Sequence, residues 1–145
     1  MNRLLAITAS AGILLALSGC TAPHPKPTHQ APKTFTVLGH LDLTDAASVF
    51  QPLHDGSCLI VGNGYADIVS GASVVITDPA GKTIALGALG DGRVAAGDST
   101  TCDFPFTVPD VPAGAKFYGV EIAHRGIVQF PEAQMKNDPQ MTLGR

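Results

Sequence analysis

The chain contains no tryptophan, and only two tyrosines and six phenylalanines. An aromatic-lined carbohydrate groove therefore has little material. Glutamate occurs twice and lysine five times, so good helix formers for exposed faces are scarce. By contrast, 16 glycines and 11 prolines supply turns in abundance. Charged residues make up 14% of the chain, with a net charge of −3. Scattered, mildly acidic charge leaves no electrostatic footprint for nucleic acid. There is also no polybasic patch to hold anionic lipid. The longest apolar stretch, from Leu4 to Leu17, has 14 residues. A bilayer span needs about 20, so this stretch is too short to cross.

What the first twenty residues do offer is an export signal. Asn2 and Arg3 give a short, positively charged start, the apolar run follows, and Leu17-Ser18-Gly19-Cys20 closes it with small residues. This ending resembles the lipobox of bacterial lipoproteins, with Leu at −3, Ser and Gly at −2 and −1, and Cys at +1. The resemblance implies that residues 1–19 are removed and that the Cys20 thiol carries a diacylglycerol. The chain would then sit on the extracytoplasmic face of the cell membrane, held by its N-terminal lipid. Loss of Arg3 with the signal would take the net charge to −4.

Residues 20–33 come next. Four prolines, no acidic residue and no large apolar residue make Thr21–Lys33 a polyproline-like spacer. At about 3.1 Å per residue it would reach some 30–40 Å. His24 and His29 lie in it, and two histidines five apart make a weak metal site.

Residues 34–145 then form one domain of ordinary size, an all-β sandwich of about seven strands. Thr34 to Leu43 alternates with period two, setting Phe35, Val37, Gly39, Leu41 and Leu43 on one face. Thr44 to Phe50 reads as a helical turn stopped at Pro52. Cys58 to Val61 and Ala72 to Thr77 are apolar strands, and the second turns at Asp78-Pro79-Ala80-Gly81 into Lys82–Leu86. Gly87 to Ser99, with four glycines, is a poor candidate for regular structure. Cys102, Phe104, Phe106 and Val108 share a face, and Pro105 between them suggests an edge strand or a bulge. Asp110–Gly114 reads as a turn. Lys116–His124, Ile127–Phe130 and Met141–Leu143 complete the strands.

Cys58 and Cys102 remain as an even pair in an oxidising compartment. Bridging them closes a loop of about 45 residues, worth about 4 kcal/mol in chain entropy. A metal or redox pair would need closer spacing such as C-x-x-C, which is absent.

Several phrases together resemble a family. Gly71-Ala72-Ser73-Val74-Val75-Ile76-Thr77-Asp78, the Gly81 turn, Phe104-Pro105-Phe106-Thr107-Val108, Val111-Pro112-Ala113-Gly114 and Phe117–Ala123 are similar to the prealbumin-like, carboxypeptidase-regulatory type of β-sandwich. The Cys58, Gly62–Ile68, Cys102 and His124-Arg125-Gly126 elements also resemble small exported or lipid-anchored actinobacterial domains without an assigned activity. The resemblance implies a fold and is nearly silent on chemistry.

No catalytic constellation emerges. Gly97-Asp98-Ser99 echoes a lipase nucleophile block, but it sits mid-chain without a downstream Asp-x-x-His partner. Ser57 lies outside any Gly-x-Ser-x-Gly, and Asp91, Asp98, Asp103 and Asp110 lack EF-hand spacing. His40, His54 and His124 could converge, though single histidines in β-domains are usually hydrogen-bonded or surface residues. For His124, a ring N–H held by a loop carbonyl is expected. No cofactor or metal is expected. The Gly62–Ile68 loop is the best exposed candidate surface, with Asn63, Tyr65 and Asp67 as its contact residues. The reading is a non-catalytic interaction or structural module at the cell envelope, with an envelope protein as partner. The alternatives are a prophage-type superinfection-exclusion or defence lipoprotein, or a small-ligand or metal binder.

Cys20→Ala should abolish lipid modification and move the protein from the detergent phase to the aqueous fraction. A mutant that still partitions with membranes would refute the lipobox reading.

Overall fold

The computed structural model describes residues 32–44, 49–62 and 64–144. The expected signal, Cys20, all but the end of the expected spacer, most of the Thr44–Phe50 stretch, and Asn63 lie outside these residues. Ten strands and one short helix are described: β1 (Thr34–Leu43), β2 (Phe50–Pro52), β3 (Cys58–Ile60), β4 (Ser73–Thr77), β5 (Thr83–Leu89), β6 (Arg93–Ala95), β7 (Asp98–Pro112), β8 (Phe117–Ile122), β9 (Ile127–Pro131), α1 (Glu132–Met135) and β10 (Gln140–Leu143). The protein is all-β. Within the stretch expected as a helical turn, Val49 is helical and Phe50 opens a strand, and residues 45–48 lie outside the described ones.

The main sheet has eight strands in the order β10-β1-β7-β5-β4-β8-β9, with β6 added to β7. All its pairings are antiparallel except β1 with β10. The sheet curls into a nearly closed, barrel-like sandwich. α1 links the two edge strands β9 and β10, and its Met135 is fully buried. β2 and β3 form a separate hairpin.

The alternation in β1 explains its burial. Val37, Leu41 and Leu43 are buried, while Thr34, Thr36 and Leu38 are exposed. The same period sends Cys102, Phe104, Phe106 and Val108 of β7, and Tyr118, Val120 and Ile122 of β8, into one core. Full burial of such side chains stabilises by about 1.5–3 kcal/mol each before conformational entropy is counted. Tyr118 is the largest of them. Its hydroxyl donates to the Pro112 carbonyl at 2.8 Å and accepts from the Ala115 N–H at 3.2 Å. The buried phenol is thereby satisfied and also fixes the turn between β7 and β8.

Three expectations need correction. β7 runs on through Asp110 to Pro112, so the turn falls at Ala113–Lys116 instead of Asp110–Gly114. The glycine-rich Gly87–Ser99 stretch is largely strand, holding the end of β5, all of β6 and the start of β7. Its glycines serve close approach, not looseness. A Cβ on Gly87 would lie 2.1 Å from the Thr107 carbonyl oxygen, and one on Gly92 would lie 2.4 Å from the Phe104 ring.

Pro105, finally, sits in a central strand, paired across to His40. Its carbonyl accepts from the Gly90 N–H at 2.6 Å. Within an antiparallel strand a residue's N–H and C=O point the same way. The donor that proline lacks therefore faces Gly90, where β5 gives way to β6, so the loss is confined to one bond at the end of the β5–β7 ladder.

The Cys58–Cys102 bond is present, with a Cα–Cα distance of 6.3 Å. It ties the β2–β3 hairpin to β7. Cys58→Ala with Cys102→Ala should lower the melting temperature by roughly ten degrees or more, since losing such a bridge costs about 2–5 kcal/mol in a small domain. An unchanged Tm would show that the hairpin is held by packing alone.

Candidate functional site

The hairpin and the main sheet part company beside the disulfide. The Cys58 N–H donates to the Gly92 carbonyl at 3.2 Å, and the Val94 N–H donates to that of Gly56 at 2.9 Å. Ser57 is bridged to Arg93 at the same point. Beyond Cys58 the hairpin diverges, and an open groove of about 420 Å³ lies between them. Leu59 and Ile60 form one wall, Ile68–Ser70 the other, and Phe104 lies beneath Gly92. This volume falls within the usual range for ligand sites, about 300–1,000 Å³. Leu59 is 48% exposed and Val69 46%, so both offer apolar surface at the groove. Asp55, Ser57, Asp91 and Arg93 supply its polar lining.

Two of those polar groups bond to each other. One oxygen of Asp55 accepts both the Ser57 hydroxyl at 2.6 Å and the Ser57 N–H at 3.0 Å. The two bonds hold the Asp55 carboxyl below its ordinary range, the hydroxyl contributing most. Ser57 gives its proton to this turn, so the arrangement orders the loop. Asp98 behaves alike, accepting from the hydroxyls of Thr100 and Thr101 and from the Thr100 N–H. Gly97 accordingly ends the turn from β6, and Asp98 and Ser99 open β7.

The Gly62–Ile68 loop lies beside this groove and shares Ile68 with its wall. It is pinned by Arg125, from the turn between β8 and β9. The Arg125 Nε donates to the Asp67 carboxylate at 2.8 Å, and Nη2 reaches both that carboxylate and the Gly64 carbonyl. The guanidinium also stacks over the Tyr65 ring, 5.0 Å from its centre. Its hydrogen bonds lower the Asp67 carboxyl below the ordinary range. Tyr65 is half-buried against the core, and Ile68 is fully buried. Two of the three proposed contact residues are therefore engaged by one arginine, and Asn63 lies outside the described residues. As the residue that pins this loop, Arg125 carries no signal in composition or spacing. Its partner is 58 positions away, on another loop, and no periodicity signals such a pair.

The three histidines sit on separate elements. His54 is exposed between β2 and β3. His124 is not held by a loop carbonyl. Its side chain is 85% exposed, with Nδ1 3.8 Å from Glu121. Among the described residues, no group of three His, Cys, Asp or Glu side chains could hold a metal ion. Also among them, no helix is long and apolar enough to cross a membrane.

His40 is different. Its Nδ1 lies 2.7 Å from Asp103 on β7, and its Nε2 lies 3.5 Å from Asp138, just before β10. Only the imidazolium has a proton for both nitrogens. Desolvation pulls the His40 pKa down. The Asp103 hydrogen bond and the charges of Asp103, Asp138 and Asp42 outweigh it, and the net shift is upward. Asp42 is also raised, first by burial and then by the Asp103 charge.

No family model, curated protein or solved structure matches this chain.

The His40 shift has a definite sign. A histidine raised in the fold contributes stability that is fully present below its ordinary value of about 6.5 and is lost as pH climbs through the folded value. His40→Gln should therefore lower the melting temperature more at pH 5.5 than at pH 8. A pH-independent difference would mean that His40 is not charged in the fold.

Proposed function

We propose that the protein is a lipid-anchored, non-catalytic binding module of the bacterial cell envelope, and that its groove beside Cys58 receives a protein partner. The placement of the groove carries this reading. β1 begins at Thr34, paired with Pro112, and ends at Leu43, paired with Cys102. Cys102 is bonded to Cys58 in the groove lining. Nine residue steps at about 3.3 Å put roughly 30 Å between the strand's start and the groove. A chain tethered through its N-terminus would thus enter the domain at one end and display the groove at the other.

Three observations support the rest of the reading. The lipobox-like ending at Cys20 supports the anchor, and the Cys58–Cys102 bond fits an exported protein. Ser57 and Ser99 have no histidine partner among the described residues, and Ser57 donates to a carboxylate. That carboxylate, Asp55, is held below its ordinary range by the same bond, which makes it a weak base for activating a nucleophile.

The test places a photo-crosslinking residue at Leu59, in the groove, and separately at Leu86, an exposed position on β5. Full-length protein is irradiated in intact cells. A specific protein adduct is expected from position 59 and not from position 86. Cys20→Ser should abolish that adduct without changing the melting temperature. Equal labelling from both positions, or none from 59, would overturn the proposal.

A further inference from the structure

The groove has an unused hydrogen-bonding edge. Within β3 the N–H and C=O groups of alternate residues point to opposite sides. The Val61 N–H donates to Val49, on the β2 side, and the Cys58 N–H donates to Gly92, on the other side. Ile60 shares the outward direction of Cys58. Its N–H and C=O, and the Cys58 C=O, therefore face the groove, where no backbone partner meets them among the described residues. β6 fills the adjoining row only as far as Arg93 opposite Ser57, and then Gly90 turns away to bond Pro105. Among the described residues, nothing fills the sheet row alongside Leu59 and Ile60.

From this geometry we infer that the groove binds an extended peptide segment of a partner protein by strand addition to β3. The inference rests on the binding-module reading above and names the partner's chemistry. A backbone edge that presents donor and acceptor together selects an extended chain, because one partner residue can exchange both bonds with Ile60. Leu59 and Val69 accept apolar side chains on that segment. The charge at the rim selects further. Asp55 and Asp91 outnumber Arg93, and one Asp55 oxygen is left over after Ser57 is satisfied. The segment therefore carries a lysine or arginine between apolar residues. Free edges invite aggregation unless they are short or guarded, and β3 is three residues long, with the groove wall beside it.

The probe is a synthetic heptapeptide, acetyl-Thr-Val-Thr-Lys-Val-Thr-Val-amide, titrated into isotope-labelled full-length protein in detergent micelles. Saturable amide shifts are expected at Cys58, Leu59, Ile60 and Val69, with none at Leu38 or Leu86 on the outer sheet. Replacing the peptide lysine by glutamate should weaken binding about fivefold, the worth of an exposed charge pair. N-methylation of the valine amides should abolish it, since it removes the donors while keeping the side chains. Asp91→Lys in the protein should reverse the lysine-over-glutamate preference without lowering the Tm. No saturable shift at Ile60, or equal binding of the N-methylated peptide, overturns strand addition. If position 59 still crosslinks a protein in cells, the module reading survives that failure. If the peptide binds but no adduct forms, strand addition stands and the envelope partner falls.

Discussion

The antiparallel ladder between β1 and β7 is the constraint on which the rest of the molecule depends. It runs through nine register pairs, from Thr34 opposite Pro112 to Leu43 opposite Cys102. Side chains alternate, so a slip of one residue would turn every core group of one strand out to solvent. The register sets Phe104 opposite Leu41 and Phe106 opposite Gly39, and Gly39 has no room for a side chain against that ring. It also sets His40 beside Asp103, on the outer face. Core and surface cluster are thus consequences of one alignment.

On its other edge β7 is shared by two short strands. β5 pairs at Phe106 and Thr107, and β6 pairs at Asp98, Cys102 and Asp103. The chain crosses between them at Gly90–Gly92, opposite the one residue of β7 in that span that has no N–H to offer. Irregularity is thereby placed where it costs least. The same crossing releases the row beside β3, and the disulfide holds β3 close enough to make a groove. A regular strand from Ala85 to Ala95 would have left no such vacancy.

Much of the fold was legible from alternation. The bounds of β1, the hairpin at Asp78–Gly81 and the cysteine pair follow from period two, turn chemistry and the absence of a C-x-x-C spacing. What escaped was set by contacts between distant residues. Gly87 and Gly92 read as loop formers because sequence does not reveal what lies above a missing side chain. Pro105 read as an edge marker because the break opposite it belongs to another strand. β2 and β6, each of three residues, are too short to show a period. Of the site, the loop at Tyr65 and Asp67 was visible by composition. Arg125, which engages both, and the open edge at Ile60 were not, since backbone direction has no residue code.

β10 is the only parallel neighbour in the sheet, pairing residues 140–143 with residues 40–43 across a separation of 100 positions. Met135, Met141 and Leu143, which line or fill the last opening of the core, arrive with it. A chain made from its N-terminus cannot complete this core until β10 has left the ribosome. Closing so long a loop is slow, and pairing of distant strands comes late in folding. The apolar ends of β1 and β8 at Leu41 and Ile122 would therefore stay open to water until β10 docks beside them.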